Sequence, residues 1–184
     1  MRIAVIADTH MPRRATELPP ACRTLIARAD LVVHAGDLSA PPVLSLLEDM
    51  CPEVAAVHGN VDEAALTDML PATVELELPG LRLGVIHDAG PAEGRLARMT
   101  RRFPAADAVV FGHSHIPLLE GHAGRWILNP GSPTDPRRQP RPSMAEIVLD
   151  GRVRVRHWAV DEPEPAPLGA ALVRGRGGPP SGDL

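Results

Sequence analysis

The sequence predicts an α/β fold in which two β-sheets pack together and helices lie outside. Three observations carry that prediction. Short apolar runs alternate with helical spacings from Arg2 to Asn60. After that the pattern changes to strand pairs joined by tight turns. Acidic, amide and imidazole residues then recur where the apolar runs end, and chemistry in α/β folds sits at strand ends.

The first apolar run is residues 2–7, with Ile3, Val5 and Ile6. It is continuous rather than alternating, which predicts a strand buried on both faces. Residues 18–28 place Leu18, Cys22, Leu25 and Ile26 at helical spacing behind Glu17. Leu31-Val32-Val33 is a second strand leading into His34-Ala35-Gly36-Asp37. Ser39 is placed to cap a helix over 41–49, with Pro41 in the first turn, where a missing N–H costs little. Val54 to Val57 is a third strand, leading into His58-Gly59-Asn60. Strand, helix, strand, helix, strand at this spacing predicts right-handed βαβ units and a parallel sheet.

Two strands follow, over 74–78 and 81–86, joined by Pro79-Gly80. Alternation in Val74-Glu75-Leu76-Glu77-Leu78 predicts a half-exposed antiparallel edge. A helix is predicted over 91–102 and a strand over 108–111, ending in Gly112-His113-Ser114-His115. Hairpins are predicted from 116–120 to 125–128, and from 144–149 to 152–159 about Asp150-Gly151. Residues 133–142 form a proline-stiffened loop. The predicted domain spans 1–160. Residues 161–184 collapse into Pro, Gly, Ala and charge, and are expected to be a flexible C-terminal tail.

The chain has 184 residues, enough for one domain with a full core. Its hydrophobic fraction of 44% and charged fraction of 23% are those of an ordinary globular protein. Net charge is −4, and all basic residues are Arg, so composition offers no nucleic-acid surface. Aromatics make up 2%, which leaves no stacking platform for single strands. Cys22 and Cys51 form no motif, and a reduced, cytoplasmic protein is expected. No run approaches the roughly 18 apolar residues of a membrane span, and the N-terminal run is too short for a signal sequence.

Seven residues are candidates for metal ligands: Asp8, His10, Asp37, Asn60, His87, His113 and His115. Asp8 and His10 are two apart, so in extended chain they point the same way. Taken alone, Asp8 also suits a cap or surface turn, and Gly36-Asp37 suits an ordinary turn. His113 and His115 flank a small residue directly after a strand, which is harder to explain structurally. His34 is expected to pack or hydrogen-bond behind Asp37. His122 and His157 read as surface residues. Arg13 and Arg14 follow the first candidate loop, within reach of a substrate phosphate or of an ion-pair partner. No dinucleotide or P-loop motif follows the first strand.

The order Asp-x-His, Gly-Asp, Gly-Asn, His, Gly-His-x-His resembles the calcineurin-like metallophosphoesterases. It is most similar to their short bacterial and archaeal phosphodiesterase branch, whose fold is shared by the retromer subunit Vps29. Asn129-Pro130-Gly131-Ser132 matches a turn of this branch. The resemblance implies a four-layer αββα sandwich and a two-metal site over residues 2–159. It implies that Asp8, His10 and His115 hold one ion, that Asn60, His87 and His113 hold the other, and that Asp37 bridges them. Asp37, Asn60 and His113 are then the catalytic candidates. It further implies a phosphoesterase, foremost a phosphodiesterase, with a bridging hydroxide attacking phosphorus in line. A phosphomonoesterase and a non-catalytic metal-binding scaffold are the alternatives. The mixed donors suit two divalent ions, Mn²⁺ first, then Ni²⁺, Fe²⁺ or Zn²⁺. The expected partner is a small phosphate ester, with no membrane, and a homodimer or homotetramer is compatible with the resemblance. One departure stands out: many members have His after Gly-Asn to protonate the leaving group, and here it is Val61.

Overall fold

The computed structural model describes residues 1–173. Its elements in order are β1 (Arg2–Ile6), α1 (Pro20–Ile26), β2 (Leu31–His34), α2 (Pro41–Met50), β3 (Val54–Ala56), α3 (Ala64–Met69), β4 (Thr73–Leu78) and β5 (Leu81–Ile86). There follow α4 (Arg95–Arg102), β6 (Ala108–Val110), β7 (Leu118–His122), β8 (Arg125–Asn129), β9 (Ser143–Leu149), β10 (Val153–Ala159) and β11 (Ala166–Val173). One sheet runs β11-β10-β9-β1-β2-β3 and the other β4-β5-β6-β8-β7. β1, β2 and β3 are parallel, as the βαβ reading requires, and β9 closes antiparallel on β1. β5, β6 and β8 are parallel, flanked by antiparallel β4 and β7. Both sheets are therefore mixed.

The layering follows from which way alternate residues point. On β1, Ile3 and Val5 join Leu31, Val33, Leu83, Val85, Val110 and Leu128 in an apolar cluster between the sheets. Ala4 and Ile6 point the other way, into a second cluster with Cys22, Leu25 and Ile26 of α1 and Leu44 and Leu47 of α2. Val109, Phe111 and Ile127 face away from the first sheet and pack on Met99 and Phe103, at α4. Three apolar seams between four layers make the αββα sandwich. A strand buried on both faces reads as a continuous apolar run, which is how β1 was recognisable.

Four local expectations need correction. The N-cap of α2 is Ala40, with no side-chain cap bond, and Ser39 Oγ is buried without a partner. Two prolines preset the first turn of α2 instead. α3 was not predicted, because its six residues bury only Leu66 and so show no periodicity. His157 is not a surface residue, since its Nε2 donates to Asn129 O at 2.8 Å and ties the two sheets together. The expected tail from 161 is partly a strand: β11 pairs antiparallel along β10. Its small residues satisfy a sheet edge while burying little, so hydrophobic patterning does not reveal it. Residues 174–184 of that expected tail lie outside the described residues. Among the described residues, no helix is long and apolar enough to cross a membrane.

Candidate metal centre

Hydrogen bonding continues beyond the strand ends and zips the neighbouring loops together. Asp8 N donates to Gly36 O at 2.9 Å, His10 N to Asp37 O at 3.0 Å, and Met11 N to Leu38 O at 3.1 Å. On the second sheet Gly112 N donates to His87 O at 2.9 Å. The loops therefore hold fixed positions relative to both sheets. Five of the seven candidates adopt left-handed backbone: Asp8 (φ 55°), His10 (47°), Asp37 (60°), His113 (65°) and His115 (57°). Such conformations cost on the order of 1–3 kcal/mol each and cluster where side chains must be aimed at a common point.

All seven candidates converge, in two donor groups. In the first, His10 Nε2 and His115 Nε2 are 3.1 Å apart, and Asp8 Oδ1 is 3.6 Å from His115 Nε2. In the second, Asn60 Oδ1 lies 3.0 Å from His87 Nε2 and 2.9 Å from His113 Nδ1, and the two imidazole nitrogens are 3.3 Å apart. Asp37 stands between them, its Oδ2 3.8 Å from His10 Nε2 and 3.4 Å from His87 Nε2. The first group is buried, while Asn60 and His113 are exposed, so the centre opens to solvent on their side.

The tautomers show what this arrangement lacks. His87 Nδ1 donates to Ala35 O at 2.8 Å, and His115 Nδ1 donates to Asp135 O. Each Nε2 is then left with a lone pair, pointed at other electron-pair donors. Asp8 Oδ2 is buried with no hydrogen-bond partner. Lone pairs and carboxylates crowded together need either protons or cations between them. Burial, aided by the Asp37 charge, raises the Asp8 pKa to about 7. Burial pulls His87 down, but the hydrogen bond and charge of Asp37 outweigh it and the net shift is upward. Asp37 is correspondingly held at about 2, with burial overcome by His87 and by the Val61 N–H. His115 is lowered to about 4, chiefly by burial. A buried carboxylate oxygen without a partner, crowded against imidazole lone pairs, makes a donor set that could hold divalent metal. Two overlapping sets have ligand-forming geometry: Asp8, His10 and His115, and Asp8, Asp37 and His87.

Behind the donors lies a set of residues that hold them. His34 is buried, lowered to about 3 by burial, and bonded to Thr9 Oγ1 at 3.1 Å and to Gly36 N at 3.2 Å. Asp62 accepts from Asp37 N, Ser39 N and Gly59 N at 3.2, 2.6 and 2.7 Å, which ties two candidate loops to one carboxylate. In Asn129-Pro130-Gly131-Ser132, Asn129 Nδ2 donates to Gly112 O at 2.8 Å and Ser132 Oγ to Asp8 O at 2.7 Å. Asp88, next to His87, accepts from Gly90 N at 2.7 Å and turns the chain away. Of the first-loop arginines, Arg14 approaches Asp135 at 3.6 Å. His58 is half-buried, its Nδ1 3.4 Å from Gly59 O.

Residues 1–152 match the model of the calcineurin-like phosphoesterase superfamily domain. The chain belongs to that superfamily. A probable metallophosphoesterase of Methanothermobacter thermautotrophicus is 37% identical over 153 residues, 82% of this chain and 87% of its own. Another, from Methanocaldococcus jannaschii, is 34% identical over 165 residues, covering 88% and 83%. Among solved structures, Vps29 of Cryptosporidium parvum superposes with a TM-score of 0.83 at 22% identity, covering 94% of this chain and 97% of its own. That likeness concerns the fold. Superfamily membership places the chain among phosphoesterase-type hydrolases, a family that uses divalent metals, and its Asp and His donor groups could hold metal.

Proposed function

We propose that the protein is a dinuclear-metal phosphodiesterase in which Asp8, His10 and His115 hold one ion and Asn60, His87 and His113 the other. Asp37 bridges them. The observation that carries this reading is the Asp37 carboxylate, standing between two imidazole-bearing donor groups with one side open to solvent. Two divalent ions in such a site supply Lewis acidity and a water activated at neutral pH. The chain's own residues orient and neutralise. Asn60, neutral and exposed, is placed to hold a phosphate oxygen. The Val61 side chain has no acidic proton to give, although its backbone N–H donates to Asp37 Oδ1 at 3.0 Å and holds that carboxylate in place. The leaving group therefore departs without a protein acid, which favours esters with acidic leaving groups. Loss of general acid catalysis costs ~10²–10⁴-fold. Mn²⁺ is the first candidate metal, with Ni²⁺, Fe²⁺ and Zn²⁺ as competitors.

The test is hydrolysis of bis(p-nitrophenyl) phosphate with added Mn²⁺. Turnover is expected, with loss in chelator and recovery on metal return. Asp37→Ala is expected to abolish turnover, since it removes the carboxylate shared by both groups. No turnover with any divalent metal would favour the scaffold alternative, and normal rates in Asp37→Ala would sink the bridging role.

A further inference from the structure

The loop that follows β8 runs back across the first donor group and bonds it at three places. Ser132 Oγ donates to Asp8 O at 2.7 Å, and Thr134 Oγ1 donates to Thr9 O at 2.6 Å. Asp135 O receives the Nδ1 proton of His115. The loop is itself anchored: Ser143 N, on β9, donates to Ser132 O at 2.8 Å, and Asp135 N donates to Ser132 Oγ at 2.9 Å. Residues 132–135 therefore form a strap from β9 over the Asp8–His10 turn to His115. That turn needs support. Asp8 (φ 55°) and His10 (φ 47°) are both left-handed without being glycine, and such backbone persists only where its surroundings hold it. Thr9, between them, is fully buried, so its carbonyl must find its partner within the protein, and the Thr134 hydroxyl is that partner. The second donor group has no such strap. His87 is oriented by Ala35 O, but the side-chain hydrogen bonds of Asn60 and His113 run, among the described residues, only to fellow donors of that group. Both of these residues are exposed.

We propose that Thr134 is a positioning residue: its hydroxyl fixes the Asp8–His10 turn, so that the Asp8, His10 and His115 position holds its ion more tightly than the Asn60, His87 and His113 position. The proposal rests on the dinuclear reading above. Donors already held in place lose little freedom when an ion arrives, whereas exposed side chains must be ordered at that moment. Groups that hold metal ligands from behind are worth roughly ten- to a hundredfold in affinity. The two positions then behave differently. The strapped one retains its ion, while the open one exchanges with solvent, so turnover follows the free concentration of divalent metal through the second position. Thr134 lies 125 residues from Thr9 in the chain, and it is a hydroxyl rather than a ligand type.

The experiment strips the full-length protein with chelator and titrates it with Mn²⁺, reading free ion by electron paramagnetic resonance. Two binding steps are expected, the first at least about tenfold tighter than the second. Thr134→Val keeps the shape and removes the hydroxyl. It is expected to weaken the tight step roughly ten- to a hundredfold and to leave the weak step in place. Thr134→Ser keeps the hydroxyl and is expected to restore the tight step. Asn60→Ala is expected to remove the weak step alone. Two equal steps in the wild type overturn the proposal and leave the dinuclear reading standing. So does a tight step unchanged in Thr134→Val, or an equal weakening of both steps, which would indicate general loosening of the fold. Loss of the tight step in Asn60→Ala overturns it too, whether or not Thr134→Val folds. Binding of a single ion, weakened in Thr134→Val and restored in Thr134→Ser, would support the positioning role and reject the dinuclear reading.

Discussion

Gly59 bears no functional group, yet it constrains the centre as tightly as any ligand candidate. A methyl group there would lie 2.0 Å from Asp37 Oδ1 and 2.4 Å from Asp37 N, closer than atoms tolerate. Gly59→Ala must therefore push the Asp37 loop away, even though no charge or donor is lost. A displacement of about 1 Å in a catalytic group can cost ~10²-fold in rate. The expected outcome is a fall in turnover of about that size, with weakened Mn²⁺ binding and unchanged circular dichroism. Wild-type rates in this variant would show that Asp37 has room to spare. At this scale the seven candidate donors were legible because each follows an apolar run at a recognisable spacing. The partners of Asp62 were less legible: its carboxylate ties down amides 25 and 23 residues away, a relation that no local pattern expresses.

β11 illustrates how an element can escape sequence reading and still belong to the sheet. It pairs along β10 from Val153↔Val173 to Ala159↔Ala166, with a register shift between His157 and Trp158, yet Pro167, Leu168, Gly169 and Ala170 are exposed. Backbone hydrogen bonds at an edge need no apolar alternation. Its loss should be inexpensive: a chain ending at Pro165 is expected to melt a few degrees lower, about 1 kcal/mol for a domain of this size. Turnover should be unaffected, because β10 and β9 separate β11 from β1, whose loop carries Asp8 and His10. Thermal melts and the diester assay on the truncated chain check both points, and lost turnover would show that this edge supports the site. The opposite case is α2, where helix and boundaries were read nearly as found but the capping residue was not. Ser39 has left-handed backbone, φ 84°, and its N–H is committed to Asp62, so tertiary demand overrode the usual cap.

Over the whole molecule, the four layers place a desolvated polar centre at one end of an apolar sandwich, and folding stability must carry that burden. His34 shows its pH signature. Its pKa falls to about 3 through burial, against an ordinary value of 6.5. Between these values the unfolded chain binds the proton and the folded chain does not, so this group's contribution is lost as pH falls below 6.5. Asp8, raised to about 7, acts in the opposite sense across the same window. The two are separated by comparing wild type with His34→Gln, which keeps polar contacts but does not titrate. In chelator, the wild-type advantage is expected to shrink as pH drops from 6.5, by up to ~1.4 kcal/mol per pH unit. Denaturant titrations at several pH values measure this, and a constant gap would show that His34 protonates freely in the fold. The sequence by itself determined the α/β class and the parallel start, and it singled out the seven candidate donors. Those are local patterns, set by apolar periodicity and by residue chemistry at strand ends. Only the tertiary structure decided which donors face one another and which tautomers leave lone pairs between them. It also brought the 133–142 loop to the centre and gave β11 its place. Those relations join residues far apart in the chain, and through-space distance has no counterpart in linear order.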